Sequence, residues 1–259
     1  RPLSAVRGRA VQGADFLISI SEYTKQKALE NNALNSSRFH LLPNALECTQ
    51  TAPSQTEVLA STLGEETRLL SVCRLEQSER YKGVDKVIEC LPELAKSVPD
   101  VQYTVVGGGT DLERHRALAE GLGVANRVRF LGFITDEALD DCYCACDVFV
   151  MPSAGEGFGF VFLEAMKYGK PIVAARSGGA PEVVRDGVNG RLVEYGDKQQ
   201  LLDVLIDLSL NRNERERWGE GGYRRLQENY TFEHFKQKFG EIVRSESPAH
   251  SARRFSAEH

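Results

Sequence analysis

The sequence predicts an α/β protein organised on a Rossmann-like, doubly wound parallel sheet, with a partial α/β segment ahead of it. Three observations carry that expectation. Short strand-like apolar runs recur at 68–73, 101–106, 128–131, 148–151, 171–174 and 191–193. Amphipathic helical patterns separate most of them at intervals of roughly 20 to 30 residues, the spacing of βαβ units. The residues directly after the runs are rich in glycine or charge, and in such sheets those residues line a crevice beyond the carboxyl ends of the strands.

Ahead of the sheet, residues 14–19 form a first apolar run, and Ser21-Glu22 after it carry the chemistry of a helix start, with the helix reaching Glu30. A second short strand at 39–42 is closed by Pro43-Asn44. Residues 47–66 then turn polar and rich in Thr, Ser and Pro, the composition of a linker. Beyond it, Val84, Val87, Ile88 and Leu91 keep an i, i+3, i+4, i+7 spacing, and 112–122, 138–146, 159–168 and 201–208 read similarly as helices. The resulting divisions are a segment over 1–46, the linker over 47–66, a main domain over 67–230, a closing helix over 231–245 and a polar, aperiodic tail over 246–259 expected to be mobile.

Composition narrows the function classes. With 32 Lys and Arg against 37 Asp and Glu, the 259-residue chain has a formal charge of -5, a poor electrostatic match to nucleic acid. No run of 18 apolar residues is present to span a bilayer. The sequence begins at Arg1-Pro2-Leu3 with neither an initiator Met nor an apolar signal core, read here as a fragment or a chain that has lost an upstream piece. Cys142, Cys144 and Cys146 resemble a metal knot, but no His lies near, and on a helix Cys142 and Cys146 share a face that Cys144 does not. Core packing is the expected role, and reduced thiols fit a cytoplasmic protein.

Three segments on the expected crevice edge carry chemistry. Gly107-Gly108-Gly109 follows a strand and opens a helix, where glycine lets backbone approach a phosphate; a plain strand-to-helix turn accounts for it equally. Leu112 breaks the dinucleotide G-x-G-x-x-G pattern, which weighs against an NAD-dependent dehydrogenase, and no Walker loop follows. Arg74 and Lys82 bracket a polar loop, with Lys82 just before the glycine that starts a helix. Two cations and a positive helix end suit a diphosphate, although Glu76, Glu79 and Arg80 also allow a solvated surface loop. Glu156 lies in a glycine-rich loop and Glu164 in the helix after it, flanked by Phe162, Leu163, Ala165 and Met166. A carboxylate among apolar neighbours needs a partner, and vicinal hydroxyls of a ribose are one. The structural alternative is a helix cap for one Glu and a pairing with Lys167 or Lys170 for the other.

Glu156-x7-Glu164, preceded by Pro152-Ser153 and followed by Lys170-Pro171-Ile172, Gly178-Gly179-x-Pro181-Glu182 and Asp186-Gly187-x-Asn189-Gly190, resembles the C-terminal half of a retaining glycosyltransferase of family 4, a family with the two-domain GT-B architecture. The likeness runs over 16–235. It implies that Arg74 and Lys82 hold the donor's diphosphate and, with Glu156 on the sugar hydroxyls, carry catalysis. It places Glu164 on the ribose, the backbone of Gly157, Phe158, Gly159 and Phe160 against sugar and phosphate, and Gly107, Phe133 and Ile134 around the phosphate and base. No metal or other cofactor is implied. Residues 1–46 resemble the remnant of an acceptor-side first domain, and 231–243 the helix that returns to pack on it. The family's glycine-rich acceptor loop and the histidine near the reacting sugar are not found, and none of His40, His115, His234, His250 or His259 sits in a suitable loop.

The resulting expectation is a retaining enzyme that moves a sugar from a UDP- or GDP-sugar to a glycan or lipid-linked acceptor, with this chain carrying the donor site. It would be cytoplasmic, with peripheral membrane contact through the absent part of the first domain. The alternatives are a donor-binding module without turnover and a GT-B nucleotide-sugar epimerase.

Overall fold

The structure is a computed structural model that describes residues 10–47 and 67–247. In the first segment, strands β1 (Leu17–Ser19) and β2 (Phe39–Leu41) pair in parallel, Leu17 opposite Phe39, and helix α1 (Glu22–Asn31) connects them. Ser21 caps α1 by accepting from the Thr24 amide, as its place in the sequence suggested.

The main sheet holds β3 (Arg68–Val72), β4 (Gln102–Val106), β5 (Val128–Gly132), β6 (Val148–Met151), β7 (Ile172–Ala175) and β8 (Gly190–Val193). Their order is β5-β4-β3-β6-β7-β8, every pair parallel. The chain therefore builds outward from β3 to β5 and then restarts at β6 on the other side of β3. That reversal opens a crevice between the carboxyl ends of β3 and β6. Helices α2 (Val84–Ser97), α3 (Leu112–Gly121), α4 (Asp136–Ala145), α5 (Phe160–Lys167) and the short α6 (Ala180–Val183) lie between successive strands. After β8 come α7 (Lys198–Leu210), α8 (Arg212–Asn229) and α9 (Phe232–Glu246).

Alternation along each strand divides the core in two. Leu69, Val105, Val148, Val150 and Val173 point to the layer formed by α2 and α7. Leu70, Val106, Phe149, Met151, Ile172 and Ala174 point to the layer of α4, α5 and α8. Because helices cover both faces, β6 and β7 are buried at every position, which explains why they read as unbroken apolar runs. The α2 stripe expected from Val84, Val87, Ile88 and Leu91 is buried throughout, and Leu94 extends it by a turn.

Helix α8 was not evident from periodicity. Its buried residues are Trp218, Gly219, Gly222 and Leu226, so half of its inward face consists of glycines that add nothing to an apolar pattern. A Cβ at Gly219 would stand 2.0 Å from the Gly169 carbonyl oxygen, and the bare backbone is what lets α8 approach the end of α5.

The first segment is tied to the main sheet. Leu46 donates to the Tyr230 carbonyl at 2.8 Å and accepts from the Phe232 amide at 3.0 Å, where α9 begins. The linker expected over 47–66 and the tail expected over 246–259 lie outside the described residues apart from Glu47, Glu246 and Ser247. Glu246 closes α9 and meets His40 Nε2 at 2.9 Å. No helix among the described residues is long and apolar enough to cross a membrane.

Phe149 is fully buried and packs edge-on against Phe162 at 6.1 Å. Phe149→Ala is expected to cost about 3–5 kcal/mol in urea unfolding. Leu210→Ala, at a position 66% exposed, should stay within about 0.5 kcal/mol.

Candidate functional site

The crevice between β3 and β6 is built from two loops that lock together. After β3 the chain passes Arg74 into a 3-10 turn, Gln77–Lys82, and then Gly83, whose φ of +79° is the left-handed region. A Cβ there would lie 2.5 Å from the Pro152 carbonyl oxygen, so glycine alone allows this turn to press against the loop that follows β6. The Ala154 amide donates to the Tyr81 carbonyl at 2.7 Å and fixes the same contact. Lys82 is thereby aimed at Glu156. Its Nζ donates to Glu156 Oε1 at 2.6 Å, and Ser153 Oγ donates to that same oxygen at 2.9 Å. The two charged side chains are only 17% and 11% exposed. Burial works against the charge of Lys82, but the bond to Glu156 and the field of that carboxylate outweigh it and hold the ammonium above its ordinary range.

Arg74 lies on the same loop but faces elsewhere. Its guanidinium donates to Glu79 and is 71% exposed. The loop is braced from behind by Asp111, which is buried and takes Arg80 through both nitrogens, Nη2 at 2.7 Å and Nε at 3.1 Å, and Arg114 Nε at 2.6 Å. Burial would raise the Asp111 carboxyl, yet the two arginines prevail and hold it below the usual carboxylate range. Arg80, which in the sequence left room for a solvated surface loop, is a strut for the loop.

The Glu156 loop is held from two further sides. Gly178, at φ +63°, sits so close beneath it that a Cβ would meet the Glu156 carbonyl oxygen at 2.4 Å, and the Gly179 amide donates to that oxygen at 2.7 Å. From the N-terminal segment, Ser21 Oγ and Thr24 Oγ1 both donate to the Gly157 carbonyl, at 2.5 and 3.1 Å. Glu182 in turn caps α1, its two carboxylate oxygens each accepting at 2.8 Å from the amides of Glu22 and Tyr23. Those amides belong to the first turn of α1, which has no internal acceptors for them. The Phe158 side chain is buried edge-on against Tyr230 at 5.9 Å, and Gly159 turns the chain into α5, which no side chain caps. Phe160 is 42% exposed.

Glu164, on α5, accepts from the Tyr143 hydroxyl at 2.6 Å. Neither lysine weighed as its partner bonds to it, since Lys170 donates to the Cys144 carbonyl and Lys167 to Tyr168. Burial raises its carboxyl despite the Tyr143 bond and the Lys167 charge, which both pull it down. The Gly107 amide donates to the Gly132 carbonyl at 2.8 Å, so it is engaged within the sheet edge. Phe133 stands 81% exposed with its ring over Gly108, and Ile134 packs on the α4–α5 side of the core. Cys146 is buried and donates to the Tyr143 carbonyl at 3.4 Å, while Cys142 packs on the same core.

Of the residues singled out in the sequence, Lys82 and Glu156 meet directly. Arg74 and Glu164 each find a different partner, Glu79 and Tyr143. Ser153, Asp111, Tyr143, Ser21, Thr24 and Glu182 complete the site and were not assigned these roles. For Glu182 an indirect signal existed, because the capping serine of α1 serves Thr24 and leaves the two preceding amides in need of acceptors.

Comparison with known proteins places the chain in a family. The family model for glycosyl transferases group 1 matches residues 60–225. The chain belongs to that family. A GDP-mannose-dependent alpha-(1-6)-phosphatidylinositol monomannoside mannosyltransferase of Mycolicibacterium smegmatis is 33% identical over 248 residues, covering 92% of this chain and 64% of the relative. A D-inositol 3-phosphate glycosyltransferase of Corynebacterium jeikeium is 33% identical over 220 residues, covering 81% of this chain and 52% of the relative. The group 1 fold is also that of Anabaena HepE, solved with UDP and glucose, with a TM-score of 0.80 at 26% identity over 94% of this chain and 68% of HepE. The chain thus spans between half and two thirds of the curated relatives named here.

Glu182→Ala removes the acceptor for two helix-end amides. It is expected to cost about 1–3 kcal/mol in urea unfolding and to strip hydrogen-exchange protection from the Glu22 and Tyr23 amides. Unchanged protection there would show that the carboxylate does not hold α1.

Proposed function

We propose that the protein containing this chain transfers a sugar from a nucleotide-diphosphate donor to an acceptor with retention at the anomeric carbon, and that this chain carries the donor site. The observation that supports it most is the Lys82–Glu156–Ser153 cluster at the sheet reversal, where a cation for a phosphate and a carboxylate for sugar hydroxyls stand within one hydrogen bond of each other. In this reading the diphosphate lies between Lys82 and Arg74. Arg74 is held at the surface by Glu79 and needs little desolvation to turn. Lys82 shifts from Glu156 toward the departing phosphate, and Glu156 is freed to orient the sugar as positive charge develops on its ring. The uncapped N-terminus of α5 adds amide donors next to the same loop.

Glu164 is assigned to the ribose. Phe133 and Ile134 are assigned to the base, and the backbone of Gly157 to Phe160 to sugar and phosphate, while the Gly107 amide, already bonded to Gly132, is left to shape the turn. No metal is invoked, because Lys82, Arg74 and the helix end supply the positive charge. A relative named for GDP-mannose-dependent transfer to phosphatidylinositol monomannoside supports GDP-mannose as the first donor to test and a lipid-borne inositol glycan as the first acceptor class. UDP-sugars come second. We place the protein in the cytoplasm, assign the acceptor to a first domain of which residues 1–46 form a part, and take residues 67–230 as the donor domain.

A thermal-shift panel of GDP-mannose, UDP-glucose and ADP-glucose tests the donor site. A bound donor at about a hundred times its dissociation constant should stabilise the chain by about 2.7 kcal/mol, and no shift with any of the three would overturn the assignment. In the full-length protein, Lys82→Ala should lower turnover by about a hundredfold or more, the scale for removing one charge-stabilising group. Turnover at the original rate would take Lys82 out of the mechanism.

A further inference from the structure

Glu164 and Tyr143 meet from two different helices, and the meeting is rigid on the tyrosine side. Tyr143 is 1% exposed. Its ring stacks on Phe149 at 5.8 Å and stacks nearly parallel on Tyr168 at 5.5 Å and 4°. Burial and these two aromatic neighbours restrict the ring, and its hydroxyl points at Glu164 Oε2, 2.6 Å away. A donor held that way occupies one carboxylate oxygen and sets the plane of the group, which decides what the second oxygen can reach.

The charges around Glu164 make this contact more than a convenience. From α4, Asp140 and Asp136 oppose its ionisation together with burial, which is the largest influence. From its own helix Lys167 favours ionisation, but that ammonium is shared with Asp140 at 3.9 Å and lies over the Tyr168 ring at 4.8 Å. The Tyr143 hydrogen bond is the stronger of the two influences that favour the charged form. Tyr143 itself is pushed well above its ordinary value by burial and by the Glu164 charge, so it remains a donor at any physiological pH.

We propose that Tyr143 is a positioning residue for nucleotide recognition, turning Glu164 so that its remaining oxygen accepts the vicinal hydroxyls of the ribose. This rests on the assignment of Glu164 to the ribose made above. The hydroxyl group is the operative part, because a phenylalanine would keep the stacking and lose the donor. The core contacts of Tyr143 account for its ring, and the carboxylate accounts for its oxygen.

Calorimetric titration of the full chain with UDP and GDP, and with their 2′,3′-dideoxy counterparts, tests it. Tyr143→Phe is expected to weaken binding of the ribonucleotide about tenfold, the scale of a hydrogen bond to a charged group, and to leave the dideoxy form unchanged. Without the hydroxyl the Glu164 carboxyl rises further, so affinity for the ribonucleotide should fall away at a higher pH in the variant than in the unaltered chain. In a Glu164→Gln background, Tyr143→Phe should add no loss. An equal loss for both nucleotide forms, or an unmoved pH profile, would overturn the proposal. If the unaltered chain binds the two forms equally, the ribose assignment of Glu164 fails first and takes this inference with it; if it binds neither nucleotide, the donor-site reading fails. Melting temperature checks that Tyr143→Phe folds. A crystal structure of the unaltered chain with UDP or GDP needs no substitution, and a Tyr143 hydroxyl that has released Glu164 there would also refute the inference.

Discussion

Lys82 and Glu156 face each other where neither has much water, and the loops around the crevice are shaped by the need to keep them together. Taking both charges out of solvent costs several kcal/mol per ion, and a buried pair regains this only with close geometry and further hydrogen bonds. Both conditions are met, by the 2.6 Å contact and by Ser153 on the same oxygen. Even so, two well-packed apolar side chains would serve stability as well. The pair is better understood as a stored arrangement of charge, placed where the strand order reverses, the position at which open α/β sheets bind ligands.

Precision in that arrangement comes from backbone contacts. Gly83 against Pro152, Gly178 against Glu156 and the Gly157 carbonyl under Ser21 and Thr24 fix three sides of two loops whose regular structure amounts to one short 3-10 turn. One of these supports comes from α1, more than a hundred residues earlier in the chain, and Glu182 secures α1 in return. The N-terminal segment is therefore part of the scaffold of the Glu156 loop. It is energetically continuous with the main sheet despite the polar stretch that separates them in sequence.

The strands were legible because parallel strands covered on both faces must be apolar along their length, and each expected run lies within a residue or a few of an observed strand. The family likeness was legible because Glu156, Glu164 and the Gly178–Glu182 motif lie within a short stretch of chain. What escaped was non-local or nearly featureless. Helix α8 buries glycines where a pattern search looks for leucines. Tyr143 reads as one more core aromatic, and nothing near it in sequence indicates a carboxylate 21 residues on. Gly107 sat where a phosphate-binding glycine belongs, but its amide is spent on Gly132. Arg74 pairs with Glu79, and sequence had no means of choosing among Glu76, Glu79 and Glu156 as its partner.

Charge around the crevice is closely balanced before any ligand arrives. Arg74 is matched by Glu79, Lys82 by Glu156, and Arg80 with Arg114 by Asp111 and Asp85. Such a site exerts little long-range pull on an anion, which is consistent with a chain of net charge -5. Under the proposed function, affinity for a diphosphate would come from exchange at short range, with phosphate oxygens replacing carboxylates as partners of cations already in place. Exchange of this kind depends on direction and distance far more than on total charge. Small backbone clamps, a rigid tyrosine and a doubly bridged Asp111 supply direction and distance, and none of them adds net charge to the crevice.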